Sequence, residues 1–276
     1  MIRVMITGAA GFIGRQIIRA LDVDGITLIP IVRSSGKNLF SEVSRVERMI
    51  VTPDLFSEDE VWWQAQCRDV DILIHAAWYA VPGKYLQSEL NMDCLLGSLR
   101  MSRGASKAGV KRIVGIGTCA EYDQSAGVLK VDTPLKPLTP YACAKTALFL
   151  GLSNWLPTQS ITFAWCRVFY LFGEGEDERR LVPYIRKQLQ NGEPAELTSG
   201  TQIRDFINVV EAGKKIAAIA LSDRTGPFNV SSGVPTTVRQ LAEFVADEFG
   251  RRDLLKFGAR SNNLFDPPCV IGIPNF

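Results

Sequence analysis

The chain has 276 residues, enough for one large α/β domain or two smaller ones, and its 46% hydrophobic and 22% charged residues are the balance of an ordinary globular protein. A formal net charge of +2, with acids and bases intermixed, argues against a nucleic-acid partner and an acidic tail, and no apolar run approaches the ~18 residues of a membrane span. Six scattered cysteines without a C-x-x-C pair read as reduced thiols of a cytoplasmic protein, and one histidine, His75, is too few for a histidine-based metal centre.

The first element is the apolar run "RVMITG", a strand ending at Gly8, followed by a helix with Ile13, Ile17, Ile18 and Leu21 at helical spacing. "ITLIPIV" (26–32) is a second strand, and a helix is expected over 58–66. "VDILIHAA" (70–77) is a third strand, a continuous apolar run as a strand buried on both faces should be. A helix over 88–107, a strand "RIVGIGT" (112–118) and a strand "ITFAWCRVF" (161–169) continue the alternation. Strands alternating with helices predict right-handed βαβ units and an α/β fold with a doubly wound, Rossmann-type parallel sheet. After residue 172 the pattern loosens: a helix at 180–190, strand "RDFINV", a helix at 210–221, strand "FNVSS" and helix "VRQLAEFVADEFG". This tail reads as too short and broken for an independent sheet domain. The expected organisation is a dinucleotide-binding domain over 1–172, with 207–232 returning to it, and a smaller substrate cap from 173–206 and 233–276.

The stretch "VMITGAAGFIG" (4–14) is too short and too interrupted by glycine for an export signal. Gly8, Gly11 and Gly14 form G-x-x-G-x-x-G between a strand and a helix. Glycine permits a tight turn and close approach to a pyrophosphate, and the helix N-terminus offers N–H groups and a positive dipole end. Gly8, Gly11, Phe12, Ile13 and Gly14 are therefore the candidate cofactor-binding residues of this turn. Where NAD enzymes place an acid after the second strand, this chain has Arg33, Ser34 and Ser35. An arginine pairs with a ribose 2′-phosphate, so NADP(H) is favoured over NAD(H), with Ser34 as a further contact; the alternative is a merely solvated Arg33.

"LTPYACAKTALFLGL" reads as a helix start, with Thr139 as N-cap and Pro140 in the first turn. Tyr141 and Lys145 are then i and i+4, on one face. Beside a positively charged lysine and the oxidised nicotinamide ring, the tyrosine pKa is expected to fall from ~10 and the phenol to exchange a proton with substrate.

Three motifs occur in order: the glycine turn, Thr118 in "GIGTCAEY", and Y-x-x-x-K in "PYACAK". Together they resemble the extended short-chain dehydrogenase/reductase family, and the resemblance covers essentially the whole chain. It implies Thr118, Tyr141 and Lys145 as catalytic residues, with Lys145 also holding the nicotinamide ribose. It implies Asp54 and Leu55 beside the adenine, Ala76 and Ala77 along the cofactor, and His75 as a wall residue. Asn91 matches an asparagine that begins the next helix. It implies a nucleoside-diphosphate sugar as substrate and a homodimer through the helices near 88–107 and 140–155.

Family dehydratases carry an Asp-Glu pair just after the threonine; here Cys119 and Ala120 stand there, with Glu121 one residue on. Family epimerases retain NAD, whereas reductases take fresh NADPH, so Arg33 favours a reductase. The expected activity is NADPH-dependent reduction of a nucleoside-diphosphate 4-keto-6-deoxyhexose at C4. The alternatives are a sugar-nucleotide epimerase and a non-catalytic dinucleotide sensor. For the substrate side, Cys119 is expected to touch the sugar. In "CRVFYLFGEGE", Tyr170 replaces the asparagine and Phe172 the tyrosine of the family's R-x-x-N-x-Y-G-P element. Arg204 in "QIRDFINV" is the candidate for the diphosphate, with Arg180 and Arg260 as further candidates. Family members have another helix or two beyond "DPPCVIGIPNF", so the cap is expected to be truncated or unusually short.

Overall fold

The apolar runs become strands whose two faces are both covered. The structure, a computed structural model, describes residues 1–33, 40–263 and 266–276. In chain order its first half comprises β1 (Ile2–Thr7), α1 (Phe12–Leu21), β2 (Ile26–Val32), β3 (Ile50–Val51), α2 (Glu60–Gln66), β4 (Ile72–His75), α3 (Leu90–Ala108), β5 (Arg112–Thr118), β6 (Val128–Leu129) and α4 (Pro140–Trp155). The second half begins with β7 (Thr162–Val168), β8 (Tyr170–Phe172), α5 (Leu181–Gln190), β9 (Ala195–Leu197), β10 (Ile203–Asn208) and α6 (Val209–Leu221). It ends with β11 (Gly226–Val230), β12 (Pro235–Thr237), α7 (Val238–Asp247), β13 (Leu255–Phe257) and β14 (Cys269–Gly272).

Seven strands form the main sheet in the order β11-β7-β5-β4-β1-β2-β3, every pair parallel. Alternate residues of β1 face opposite layers. Val4 and Ile6 pack with Ile17, Ile18 and Leu21 of α1 and Ile216 and Ala220 of α6. Met5 packs with Trp63, Met101, Ala105, Leu148 and Leu152 of α2, α3 and α4. The strand order reverses between β1 and β4, which opens a crevice at the carboxyl ends of these strands, the usual ligand position in such sheets. The register pairs Thr7 with His75 at that edge.

The tail does build sheet, contrary to its broken pattern. β12, β10, β14 and β6 form one path with β8 beside β10, and β13 pairs with β9. The strands are short, and β6 and β8 come from the first 172 residues, so side-chain alternation had no length in which to show. β11 and α6 return to the main unit, β11 on β7 and α6 against α1. Val182, Ile185 and Leu189 of α5 meet Leu241 and Val245 of α7 in a separate hydrophobic cluster. Among the described residues no helix is long and apolar enough to cross a membrane, and no three His, Cys, Asp or Glu side chains group as a metal site. All six cysteines are free thiols.

Candidate active site

β1 ends at Thr7 and the chain turns at Gly8, whose φ of +65° lies in the left-handed region open to glycine. The Gly11 amide donates to the Gly8 carbonyl at 2.9 Å, and α1 starts at the next residue. Its N-cap, Gly11, supplies no side-chain acceptor, and its first turn holds no acid. The amide hydrogens and the positive end of the helix are thus left for an anion. A Cβ on Gly8 would lie 2.7 Å from the Ala77 nitrogen, and one on Gly14 would collide with the Gly8 carbonyl. The cradle exists only because these positions are glycine.

A cavity of about 1990 Å³ runs along this edge. From the β2–β3 side it is lined by Arg33, Asp54, Leu55 and Arg100. Gly8, Gly11, Phe12, Ile13, Gly14, Ala76 and Ala77 line its middle, and Thr118, Cys119, Tyr141, Lys145, Tyr170 and Arg180 line the β5–β7 side. Arg33 is exposed at the end of β2; Ser34 and Ser35 lie outside the described residues. The Asp54 carboxylate accepts from the Phe56 amide at 3.0 Å, which shapes the turn carrying Leu55.

Thr118 closes β5. Its amide donates to Glu121 Oε1 at 2.8 Å, and its hydroxyl oxygen accepts from the Ala120 amide at 3.2 Å. Thr139 caps α4 as expected, accepting from the Ala142 amide at 3.2 Å, with Pro140 in the first turn. This sets Tyr141 near the side chain of Thr118, which acts to lower the phenol's pKa. One turn on, Lys145 is buried and donates from Nζ to the Ile116 carbonyl at 2.7 Å. Its ammonium also sits 3.8 Å from the centre of the Trp78 ring.

Burial raises the Tyr141 phenol above its ordinary value, aided by Tyr85 and Glu121 and opposed by the hydrogen bond with Thr118. The Lys145 ammonium is directed at the Ile116 carbonyl and the Trp78 face. Lys145 itself is pushed down to about 7 by burial, against the attraction of Glu121 and Cys94. Burial pushes the Cys119 thiol up to about 12, so it lines the site as a neutral group.

His75 is buried and is not among the residues that line the cavity. The Ser98 hydroxyl donates to the Cys94 carbonyl at 2.6 Å, so His75 Nε2–H must donate to Ser98 Oγ at 2.7 Å. Nδ1 then accepts from the Thr7 hydroxyl at 2.8 Å, whose oxygen accepts from the Ala77 amide at 3.2 Å. Burial, with Lys145 adding to it, pushes His75 down to about 3. The ring stays neutral and braces β1, β4 and α3.

Glu121 cannot replace the missing acid pair. It is fully buried and accepts from Trp165 Nε1 at 3.0 Å and Arg167 Nε at 2.7 Å as well as from Thr118. Gly117, beside Thr118 in β5, leaves the space for the Trp165 indole. Arg167, also buried, donates to the Tyr122 hydroxyl at 3.0 Å, and that hydroxyl donates to Asn229 Oδ1 at 2.7 Å. Sequence reasoning missed Arg167, although it lies in the element "CRVF" that was read for Tyr170.

The substrate-side arginines divide. Arg180 reaches the cavity and pairs with Glu176 at 3.1 Å. Arg204 is 3% exposed, lies 5.3 Å from the Tyr170 ring and pairs with Asp266 at 2.7 Å; Tyr170 and Asp266 line the cavity in front of it. Arg260 stacks on Tyr184 at 4.6 Å and donates to its hydroxyl at 2.9 Å, in the cap. All three candidate arginines have a partner within the protein, and of the three only Arg180 lines the cavity. Arg179, unforeseen, lines the cavity beside Arg180. Asn91, which was foreseen, begins α3 but points inward: it accepts from Trp78 Nε1 and donates to the carbonyls of Tyr85 and Ser88.

Residues 4–231 match the NAD dependent epimerase/dehydratase family. The chain is 27% identical over 249 residues to dTDP-6-deoxy-L-talose 4-dehydrogenase (NAD(+)) of Aggregatibacter actinomycetemcomitans, covering 88% of this chain and 90% of that protein. It is 25% identical over 273 residues to UDP-glucose 4-epimerase of Mycolicibacterium smegmatis, covering 92% and 85%. Among solved structures, UDP-N-acetylglucosamine 4-epimerase from Methanobrevibacter ruminantium, in complex with UDP-N-acetylmuramic acid, matches with a TM-score of 0.82 at 26% identity over 99% of this chain and 89% of that one. UDP-glucose 4-epimerase of Thermotoga maritima, with UDP-glucose, shares the fold with a TM-score of 0.84 at 19% identity, over 99% and 90%.

Proposed function

Because the chain belongs to the NAD dependent epimerase/dehydratase family, we propose that it is an NADPH-dependent reductase of nucleoside-diphosphate 4-keto-6-deoxyhexoses, acting at C4. One observation carries this reading. Thr118, Tyr141 and Lys145 share a cavity with the glycine cradle, while Cys119 and Ala120 follow the threonine and Glu121 is bound into the core. Such a site can move one proton at one carbonyl oxygen, but it has no acid pair for eliminating water.

A dinucleotide fits the residues present. The space over Gly8 and Gly14 is space a Cβ would fill, and the uncapped start of α1 faces it. The nicotinamide supplies hydride when bound. Tyr141, kept protonated by burial, donates its proton to the C4 oxygen, and the Thr118 hydroxyl shares that oxygen. Lys145 would hold the ribose hydroxyls of the bound dinucleotide. Arg33, exposed at the end of β2 with no acid after it in the sequence, would pair with a 2′-phosphate. Arg179 and Arg180 stand nearest for the diphosphate, and Arg204 joins them if substrate displaces Asp266. Exposed Met92 and Leu96 of α3 and Leu150 of α4 supply the face of a homodimer.

The second reading is an epimerase, favoured by the names of the M. smegmatis relative and the M. ruminantium structure. One incubation separates them: purified protein, NADPH or NADH, and a nucleoside-diphosphate 4-keto-6-deoxyhexose, with reduced nicotinamide followed by absorbance and the sugar by NMR. Stoichiometric loss of NADPH with a new hydrogen at C4 supports the reductase. An isomerised sugar with the cofactor untouched establishes the epimerase instead. Faster turnover with NADH than NADPH overturns the role given to Arg33.

A further inference from the structure

The segment between β4 and α3 carries a side chain that no motif anticipates. Trp78 directly follows Ala76 and Ala77, and its indole N–H donates to Asn91 Oδ1 at 2.8 Å. Asn91 is fully buried, and its Nδ2 donates to the carbonyls of Tyr85 at 2.7 Å and Ser88 at 2.8 Å. With every polar atom of that amide engaged, the indole plane is fixed. Phe56 packs edge-on to it at 6.3 Å and Tyr141 at 6.4 Å. Over its face, 3.8 Å from the ring centre, stands Lys145 Nζ.

The lysine needs such a partner. It is 3% exposed, and its one hydrogen bond runs to the neutral Ile116 carbonyl. Among the described residues no carboxylate pairs with it, since Glu121, which attracts it, is bound by Arg167. A buried ammonium facing an indole gains from the negative face of the ring.

We propose that Trp78 is a positioning residue for the Tyr141–Lys145 pair, its indole face seating the Lys145 ammonium against the Ile116 carbonyl. The proposal rests on the reading of Lys145 as part of the reacting site. The same contact favours the charged form of Lys145 against the burial that drives it toward about 7. The other groups acting around Lys145 are Glu121 and Cys94, which hold its proton, Tyr141 on its own helix, and His75, which stays neutral. Replacing Trp78 with an aliphatic side chain removes the attraction, so the lysine loses its proton at lower pH.

The test is an NMR titration of the Lys145 side chain in the ligand-free protein, for the native chain, Trp78→Phe and Trp78→Leu, with melting temperature recorded for each. Trp78→Leu should lower the titration midpoint by roughly 0.5–1 pH unit, and Trp78→Phe by clearly less, because it keeps an aromatic face. With substrate, Trp78→Leu should lower kcat while leaving KM for the sugar nucleotide little changed, and the basic limb of the pH profile should move in step with the titration. An unmoved midpoint in Trp78→Leu overturns the proposal, as does Trp78→Phe behaving like Trp78→Leu. A midpoint that shifts as expected in a protein that turns over no sugar nucleotide leaves this contact standing and defeats the proposed function.

Discussion

Glu121→Ala tests the buried pair behind Thr118. Glu121 is 0% exposed and Arg167 1%, with 2.7 Å between carboxylate and guanidinium. The substitution leaves Arg167 with the Tyr122 hydroxyl, between the rings of Tyr122 at 4.6 Å and Phe149 at 4.5 Å, and no counter-charge. Removing one partner of a buried ion pair costs about 3–5 kcal/mol, and the orphaned N–H groups of Trp165 and Thr118 push toward the upper figure. At about 2–4 °C per kcal/mol for a chain near this size, melting should fall on the order of 10 °C. Glu121→Gln should fall between, because its amide oxygen accepts one donor while its amide nitrogen faces the Arg167 N–H. The assay is calorimetric melting of ligand-free protein at fixed concentration. Thr118 loses its brace in both variants, so kcat should drop more than KM rises. A Glu121→Ala protein melting within about 2 °C of native would refute the reasoning, since so small a loss is what an exposed surface pair gives, not a buried one.

Gly14→Ala places a methyl on the Gly8 carbonyl and should abolish dinucleotide binding measured by calorimetry while the fold survives in circular dichroism. Arg33→Ala should weaken NADPH binding roughly tenfold or more and leave NADH nearly unchanged, the loss of one charge-assisted contact. His75, the single histidine of the chain, is held neutral with its pKa near 3, against an ordinary value of 6.5. Below pH 6.5 the unfolded chain therefore takes up a proton that the native state refuses, so His75 lowers stability progressively between pH 6.5 and 3, by up to ~1.4 kcal/mol per pH unit. Urea midpoints across that range, compared with His75→Gln, should show the extra slope only in the native sequence.

What could be read in advance was whatever a short segment encodes by itself. β2 and β5 lie where their apolar runs stand, because a strand buried on both faces must be apolar throughout. The glycine turn was legible because the close approach of β1, β4 and α1 leaves no other residue at Gly8 and Gly14. Thr139 and Pro140 announced the start of α4, and that fixed Tyr141 and Lys145 on one face. β6, β8 and β14 were not legible: two to four residues cannot display a period, and their partners come from distant segments.

The charged side chains obey the same division. A sequence shows that an arginine or a carboxylate is present, but its chemistry depends on what tertiary packing puts opposite it. Glu121 stands beside the position of a catalytic acid pair, yet Arg167, 46 residues away, makes it a brace for the Thr118 backbone. Arg204 sits in the motif that suggested a diphosphate site and is paired with Asp266, while Arg180, the N-cap of α5, lines the cavity and is paired with Glu176. Lys145 was placed correctly on its helix, but its environment was inferred from the helix alone. The Trp78 face and the Ile116 carbonyl that hold its ammonium come from other elements, and burial, with Tyr85 and Glu121, raises the phenol beside it. What the three motif residues face is therefore a property of the packing around the motif, which no single segment carries.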